Sequence, residues 1–388
     1  MTRLLCYCAN VRPGETLAEV LAACRDVAGA VRRELLADRL GLGLWLSQSA
    51  LTELRAQGTA RLKETLDAQG LYCFTLNGFP YGDFHAPVVK HAVYAPDWTT
   101  PARQRYSLEL AEALTELLPA EVTAGTISSL PIGHRTRLAA GARPAAAERL
   151  CALAEDLRRL ADRSGKPIRL CLEPEPGCEL ETTADAIRFF TQDLPAAARR
   201  TATSTAAIEQ HLGVCFDTCH QALAFEDPAA SLAALEAAGV TVGKLQLSSA
   251  LELSDPSSAE ARHALAAFDE PRYLHQVRAR ARDGRVLGVD DLDQAHALPQ
   301  DTPWRVHFHV PIHRAGVGPL GTTRPVLEQT LEHIVKLETP PHLEVETYTW
   351  SVLPEAERPR DAAGLARGLA EELRWAAQTC GVPFGATA

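Results

Sequence analysis

The sequence predicts an α/β protein whose eight strands form a closed parallel (β/α)8 TIM barrel, and three observations lead to this prediction. Short apolar strand patterns alternate with helical patterns along the chain, which is typical of repeated strand-helix units. No GxGxxG or GxxxxGK motif occurs, so an open, doubly wound nucleotide-binding sheet is the less favoured arrangement. Three strand patterns end in carboxylate or imidazole side chains, and the active sites of such barrels lie at the carboxyl ends of their strands.

Eight apolar segments are the predicted strands, and the segments between them have the Ala-, Leu-, Glu- and Arg-rich pattern of helices. The predicted strands span residues 4–11, 42–47, 71–79, 122–130, 167–175, 212–220, 242–250 and 342–350. The clearest helical patterns span residues 14–35, 49–70, 145–165, 227–239 and 361–380. We therefore expect residues 1–388 to form a single TIM-barrel domain.

One region interrupts the alternation, because about seventy residues separate the seventh strand from a helix predicted at 324–338, too many for an ordinary connection. We expect an insertion at about 251–320, between strand 7 and helix 7, that carries β structure and reaches over the mouth of the barrel. The seventh strand is either KLQLSS (244–249) or VHFHVP (306–311), and KLQLSS is favoured. A loop at 78–98, rich in aromatic and histidine residues, is expected to cover the substrate.

Composition and charge disfavour several classes of function. The chain has 39 basic and 49 acidic residues, and the resulting formal charge of −10 disfavours binding to nucleic acid or anionic lipid. No apolar run approaches the ~20 residues that a membrane span requires, and the N-terminal segment does not resemble a signal peptide. Most of the ten cysteines lie inside apolar segments, which favours reduced core thiols and a cytoplasmic protein.

The stretch LCLEPEPGCELE (170–181) is the first candidate site. Glu173 and Glu175 follow a buried strand and lie two residues apart, so both side chains should point to the same side. Buried carboxylates are costly unless a metal, a partner or a substrate uses them. Glu344 and Glu346 repeat this pattern at the eighth strand. The structural alternative is a set of salt bridges to arginines such as Arg169 or Arg305.

Two further strand patterns carry metal-type side chains. Asp217 and His220 end the sixth strand, and a carboxylate with an imidazole suits Mn²⁺, Mg²⁺, Co²⁺ or Zn²⁺, although a helix cap and a loop hydrogen bond would explain the same residues. His307 and His309 share one face of a strand, and His309 is the favoured ligand because it lies nearer the strand end.

Polar residues elsewhere are candidate substrate contacts. Gln246 and Ser248 alternate with leucines on the seventh strand, so they should point into the barrel, where they either contact substrate or complete a core hydrogen-bond network. Asn77 and His85 are expected to line the mouth from the third strand and the loop after it.

A glutamate after strand five, D-T-x-H at strand six and a glutamate after strand eight together resemble the xylose isomerase-like TIM barrels. In the ketose 3-epimerases of this superfamily, a Glu, an Asp, a His and a second Glu hold one divalent ion, and the two glutamates move a proton next to a carbonyl. The resemblance implies Glu173 and Glu346 as catalytic residues and metal ligands, Asp217 as a metal ligand, and Glu179 and His220 as substrate contacts.

The chain departs from the epimerase pattern at strand seven, where Gln246 stands in place of the histidine ligand. Either Gln246 coordinates through its carbonyl oxygen, or His309 from the insertion replaces the histidine, or the ion is weakened or lost. Glutamine is a poor ligand for a transition metal compared with imidazole.

Longer strings resemble the metabolite traffic protein EboE family over nearly the whole chain, among them NGFPYGDFH, VKHAVYAPDW, LEPEPGCELET, GVCFDTCHQA, WRVHFHVPIH and HLEVETYTW. The family name implies a role in bacterial secondary-metabolite precursor processing or traffic, with other Ebo proteins as partners. The expected activity is an isomerase- or epimerase-type proton transfer on a small sugar-like or carbonyl metabolite, dependent on Mn²⁺, Mg²⁺, Co²⁺ or Zn²⁺. A non-catalytic carrier that retains the pocket is the alternative, and the acidic charge disfavours an abasic-site endonuclease.

Overall fold

The computed structural model describes residues 3–382 and contains a closed barrel of eight parallel strands. The strands of the molecule are, in chain order, β1 (Leu5–Cys8), β2 (Leu40–Trp45), β3 (Leu71–Asn77), β4 (Gly125–Ser129), β5 (Ile168–Leu172), β6 (Leu212–Asp217), β7 (Val242–Leu247), β8 (Leu251–Leu253), β9 (Val277–Arg280), β10 (Val286–Val289), β11 (Trp304–Val306), β12 (Gly316–Val317), β13 (Leu320–Thr322) and β14 (His342–Val345). Strands β1 to β7 pair in sequence, and β14 closes the barrel between β7 and β1. Each of the eight predicted strand segments contains or overlaps one barrel strand, so the predicted fold class is confirmed.

Helices surround the barrel, and their bounds differ from the predicted ones where the local sequence interrupts the helix. They are α1 (Leu17–Ala23), α2 (Gly29–Glu34), α3 (Gln48–Gln57), α4 (Ala60–Ala68), α5 (Pro101–Leu117), α6 (Ala142–Ser164), α7 (Thr183–Arg188), α8 (Leu194–Thr201), α9 (Thr205–His211), α10 (Thr218–Leu223), α11 (Pro228–Ala237), α12 (Ala259–Ala266), α13 (Arg324–Ile334) and α14 (Ala362–Cys380). A π-helical turn separates α1 from α2. Gly58, with a φ of +79°, divides the helix predicted at 49–70 into α3 and α4, because this left-handed backbone favours glycine.

The inserted segment forms a second sheet with the strand order β10-β9-β11-β8-β13-β12. The pairings within this sheet are antiparallel, and all six strands lie between Leu251 and Thr322. This confirms the predicted β structure between strand 7 and helix 7. It also decides between the two candidates for the seventh barrel strand, because β7 contains KLQL whereas residues 304–306 belong to the second sheet. The prediction of one domain over 1–388 includes terminal residues outside the described part of the chain.

A buried ion pair lies inside the barrel between Lys244 on β7 and Glu344 on β14. The Lys244 Nζ and Glu344 Oε2 atoms are 2.7 Å apart, and neither side chain is exposed. Gly43 on β2 provides the room, since a Cβ atom there would lie 1.5 Å from Glu344 Oε1. Burial opposes the charge of Lys244, but attraction to Glu344 outweighs it and the pKa of Lys244 is raised. The charges of Lys244 and Glu344 therefore neutralise each other inside the barrel.

Helix α14 is joined to the barrel through the buried side chain of Glu372. Its Oε1 accepts hydrogen bonds from the Ile312 amide at 3.0 Å and the Thr347 hydroxyl at 2.6 Å, and its Oε2 accepts one from Trp350 Nε1 at 3.0 Å. Burial raises the pKa of Glu372 to about 7 despite these donors. The protonation of the side chain that joins α14 to the barrel therefore depends on pH.

We predict that Glu372 makes the protein less stable as the pH rises from about 4.5 to about 7. In this window the folded protein keeps a proton that the unfolded chain has released, and a pKa raised from 4.5 to about 7 corresponds to roughly 3 kcal/mol of stability. Urea unfolding at a series of pH values should show this loss in the wild type and not in Glu372→Ala. Glu371→Ala, at an exposed neighbour, is the control; parallel profiles for wild type and Glu372→Ala would contradict the prediction.

The ten cysteines are all buried and unpaired, in agreement with the predicted core role. Within residues 3–382, none of the helices has both the length and the apolar character that crossing a bilayer requires.

Candidate active site

A cavity lies at the carboxyl ends of the barrel strands, beneath the inserted segment. Its acidic and imidazole lining consists of Glu173, Glu175, His220, His307, His309 and Glu346. Aromatic residues of the loop at 78–98 cover it, together with Tyr273, Leu274 and Gln276 of the insertion. The volume open to the centres of water-sized spheres is about 60 Å³. One water molecule needs roughly 10–15 Å³ of such volume, so the cavity has room for a cation with a few small ligands.

Three carboxylates meet at the floor of the cavity. Glu173 follows β5, Asp217 ends β6 and Glu346 follows β14, and one oxygen of each lies within 4.8 Å of the others. The three residues are at most 4% exposed. The barrel brings them together because the carboxyl ends of its parallel strands meet on one face.

Hydrogen bonds hold two of these carboxylates in place. Asp217 Oδ1 accepts from the Ser248 hydroxyl at 2.7 Å and from the backbone amide of His220 at 3.0 Å. Glu346 Oε1 accepts from the side-chain amides of Asn10 and Asn77, both at 2.8 Å. Glu173 Oε2 and Asp217 Oδ2, in contrast, have no hydrogen-bond partner among the described residues. These buried acceptors therefore lack a positive or donor partner.

The charges in the cluster disfavour full ionisation. Burial raises the pKa of Glu173 well above its usual range, and the charges of Glu346 and Asp217 raise it further. Burial also raises the pKa of Glu346, with the charges of Asp217 and Glu344 adding to the effect. The nearby Lys244 lowers both, but its ammonium group is already paired with Glu344. The cluster requires either protons or a bound cation.

His309 lies next to Asp217 and is oriented as metal-binding histidines are. Its Nδ1 lies 2.8 Å from the backbone carbonyl oxygen of Glu346, so Nδ1 carries the hydrogen and Nε2 presents a lone pair. This Nε2 has no partner among residues 3–382, and His309 belongs to a second close group with Asp217 and His220. A hydrogen bond that orients the other ring nitrogen is typical of metal-binding histidines. The three carboxylates therefore suit a divalent cation, and His309 is linked to them through Asp217, the residue that the two close groups share.

Gln246 lies in register with Asp217 on β6 and with Glu344 on β14. Its side chain is fully buried, and neither Oε1 nor Nε2 has a partner in the described part of the chain. Residues in register on neighbouring parallel strands share one side of the sheet, so this amide faces the same interior as the carboxylates. The structure brings Gln246 next to the cluster, although it is not a lining residue of the cavity.

His220 and His307 form an unusual pair at the cavity wall. His220 Nδ1 is 3.0 Å from the Pro174 carbonyl oxygen, and His307 Nδ1 bonds Gln276 Oε1. Gln276 Nε2 donates to the Pro176 carbonyl, which fixes the orientation of the amide. Both histidines therefore donate through Nδ1, and their Nε2 lone pairs face each other at 3.2 Å. This contact is repulsive unless a proton or a cation lies between the two nitrogens.

Several residues predicted as substrate contacts have protein partners in the structure. Glu179 pairs with Arg143 at 2.8 Å, and His85 Nε2 lies 2.8 Å from the Asn10 carbonyl oxygen; neither lines the cavity. Asn77 lines it but is hydrogen-bonded to Glu346. Ser248, the other polar residue noted on the seventh strand, holds Asp217.

The arginine salt bridges considered as an alternative do not form with the cavity carboxylates. Arg169 donates to the backbone carbonyls of Glu209 and Leu212, and Arg305 pairs with Glu252 at 3.0 Å. The buried cation that does pair with a barrel glutamate is Lys244, which sequence reasoning missed. Its position two residues before Gln246 on one apolar strand was the available signal.

Two polar residues of the cavity wall were also missed by sequence reasoning. The Tyr94 hydroxyl donates to Glu175 Oε1 at 2.8 Å and accepts from Gln276 Nε2 at 3.0 Å. Burial raises the pKa of Glu175 to about 8. Tyr94 and Gln276 come from separate segments, the covering loop and the insertion, and no local pattern indicates that they meet.

Comparison with protein-family models finds no match, and neither does comparison with curated proteins. Among solved structures, the chain is similar to a xylose isomerase domain protein from Alicyclobacillus acidocaldarius, with 14% identity, a TM-score of 0.48, and coverage of 97% of this chain and 99% of that chain. It is also similar to an IOLI protein with a binding zinc atom (11% identity, TM-score 0.46, coverage 97% and 98%). A third is a xylose isomerase-like TIM barrel protein from Mycobacterium smegmatis in complex with magnesium (13% identity, TM-score 0.45, coverage 94% and 90%). At these values the assignment of the fold depends on the strand order of the chain itself.

Proposed function

We propose that this protein is a divalent-metal-dependent enzyme that transfers a proton next to the carbonyl group of a small, sugar-like metabolite, as isomerases and epimerases do. The observation that carries the proposal is the buried cluster of Glu173, Asp217 and Glu346, with an unpartnered His309 Nε2 beside it. A bound cation would neutralise the three carboxylates and give their unpaired oxygen atoms a partner. Without it, these buried oxygens would lower the stability of the protein.

A divalent cation held by Glu173, Asp217, Glu346 and His309 would supply Lewis-acid polarisation of a substrate carbonyl. The chain's own residues supply the proton transfer. Glu173 and Glu346 line the cavity, and burial raises the pKa of both carboxyl groups, so each binds a proton more readily than an exposed glutamate does. Asn10 and Asn77 orient the Glu346 carboxylate, and the aromatic cover limits access of water to it.

The resemblance to the EboE family extends this proposal to the biological setting. The substrate would be a bacterial secondary-metabolite precursor handled in the cytoplasm, and other Ebo proteins would be partners. The quoted strings that support this come from the cavity wall and its cover, including the D-T-x-H and H-x-H motifs.

We predict that the protein purified without chelator contains divalent metal, and that it exchanges solvent deuterium into members of a panel of ketoses. Elemental analysis measures the first property and proton NMR of the ketoses in deuterium oxide measures the second. Protein heated before incubation controls for spontaneous exchange. Absence of exchange with metal present and with every ketose tested would contradict the enzymatic proposal for this substrate class.

A second candidate function is a non-catalytic carrier that retains the pocket, and Gln246 favours it. The amide stands at the strand-seven position where an imidazole would bind a metal more strongly. Protein that contains no metal and catalyses no exchange, but binds a small metabolite, would support the carrier over the enzyme.

A further inference from the structure

A separate group of metal-type side chains lies at the rim of the barrel, outside the cavity. His91, His134 and Asp290 each place one ligand atom within 4.8 Å of the others. His91 belongs to the covering loop, His134 follows β4, and Asp290 directly follows β10 of the inserted sheet. None of the three lines the cavity or contributes to the carboxylate cluster.

His134 is oriented as a ligand. Only 1% of this residue is exposed, its Nδ1 lies 2.9 Å from the Thr136 hydroxyl oxygen, and its Nε2 has no partner among residues 3–382. The Nε2 atom is 4.0 Å from Asp290 Oδ1. Gly177, with a φ of +79°, borders it, since a Cβ there would lie 2.6 Å from Nε2. The glycine keeps this buried lone pair accessible.

Three of the neighbouring positive charges have other partners. Arg135 and Arg278 pair with Glu181, at 2.6 Å and 3.0 Å. Lys90 pairs with Asp291 rather than with Asp290. In the described part of the chain, the Asp290 carboxylate has no lysine or arginine partner, and its close neighbours are the imidazoles of His134 and His91. His91, His134 and Asp290 therefore offer two imidazoles and a carboxylate, and no lysine or arginine of the described residues forms an ion pair with that carboxylate.

We propose that His91, His134 and Asp290 bind a zinc ion that holds the inserted sheet against the barrel rim. Two imidazoles and one carboxylate are ligands that zinc accepts at about 2 Å, with a water molecule in the fourth position. The three residues come from three segments, so a shared ion would add a further link to the Lys90–Asp291 ion pair that already joins the covering loop to the insertion. Tyr94, in the same turn as His91, donates to Glu175 in the cavity, which connects the rim to the cavity cover.

Zinc titration of the metal-free protein, followed by isothermal calorimetry, tests this proposal. Asp290→Asn and His91→Ala should each weaken zinc binding at this site at least about tenfold and reduce the number of bound ions by one. His296→Ala, at an exposed histidine of the insertion, is the matched control and should titrate as the wild type does. Asp217→Asn separates the two sites, because it should remove the ion at the carboxylate cluster and leave the rim ion in place.

Limited proteolysis gives a second measurement. Trypsin cleavage after Arg282 and Arg285, which flank the exposed turn at Gly284, should slow on addition of zinc in the wild type and in His296→Ala, and not in Asp290→Asn. If Asp290→Asn and His91→Ala bind as many zinc ions as the wild type, with affinities within about twofold, the proposal is wrong. Asp290 is partly exposed, so its isosteric change tests binding rather than folding.

Discussion

Changing Glu173 to glutamine should remove the bound cation and lower turnover by roughly 10²- to 10⁴-fold, while the barrel stays folded. The substitution keeps the shape of the side chain but removes a ligand charge and the group proposed to carry the proton. It also removes one of three neighbouring carboxylates, and the repulsion between these carboxylates destabilises the metal-free protein. The metal-free variant should therefore unfold at the same temperature as the metal-free wild type or at a higher one.

The matched control is Glu175→Gln, two residues further along the same segment. Glu175 lies on the cavity but bonds Tyr94 and Cys178 and is not part of the carboxylate cluster. Its variant should keep the metal, as measured by elemental analysis. If Glu173→Gln retains both metal and turnover, the assignment of Glu173 is wrong; if both variants lose metal equally, the ion is not bound by the proposed cluster.

Changing Lys244 to methionine should destabilise the protein by about 3–5 kcal/mol, a large part of the stability of an ordinary domain. The change leaves the Glu344 carboxylate fully buried without its partner at 2.7 Å. It also removes hydrogen bonds from Lys244 to the Leu76 carbonyl and the Ser128 hydroxyl. Urea unfolding at neutral pH measures the loss.

A double-mutant cycle with Glu344→Gln separates the charge effect from packing. Lys244→Met combined with Glu344→Gln should lose less stability than the sum of the single changes, because no charge is then left unpaired. Arg200→Met breaks a half-exposed ion pair with Glu148 and should cost at most about 1 kcal/mol. A cost for Lys244→Met no greater than that for Arg200→Met would contradict this account of the barrel interior.

The alternation of apolar strands and helices was sufficient to predict the barrel, because strands covered on both faces have continuous apolar sequences. Strand bounds were less predictable. The predicted fifth strand extends to residue 175, whereas the strand of the structure ends at Leu172. Proline at 174 lacks the backbone N–H that a further ladder hydrogen bond would need. Helix α5 was not among the clearest helical patterns, although it is one of the longer helices.

The sequence by itself determined which strand ends carry carboxylates and imidazoles, because these residues follow local apolar runs that can be recognised without a fold. Only the tertiary structure decided how they are partnered. It joins Glu346 to Asn77, pairs Glu344 with Lys244, and directs Glu179 to Arg143. These contacts link residues from 36 to 269 positions apart, and a local pattern contains no information on distances of that kind.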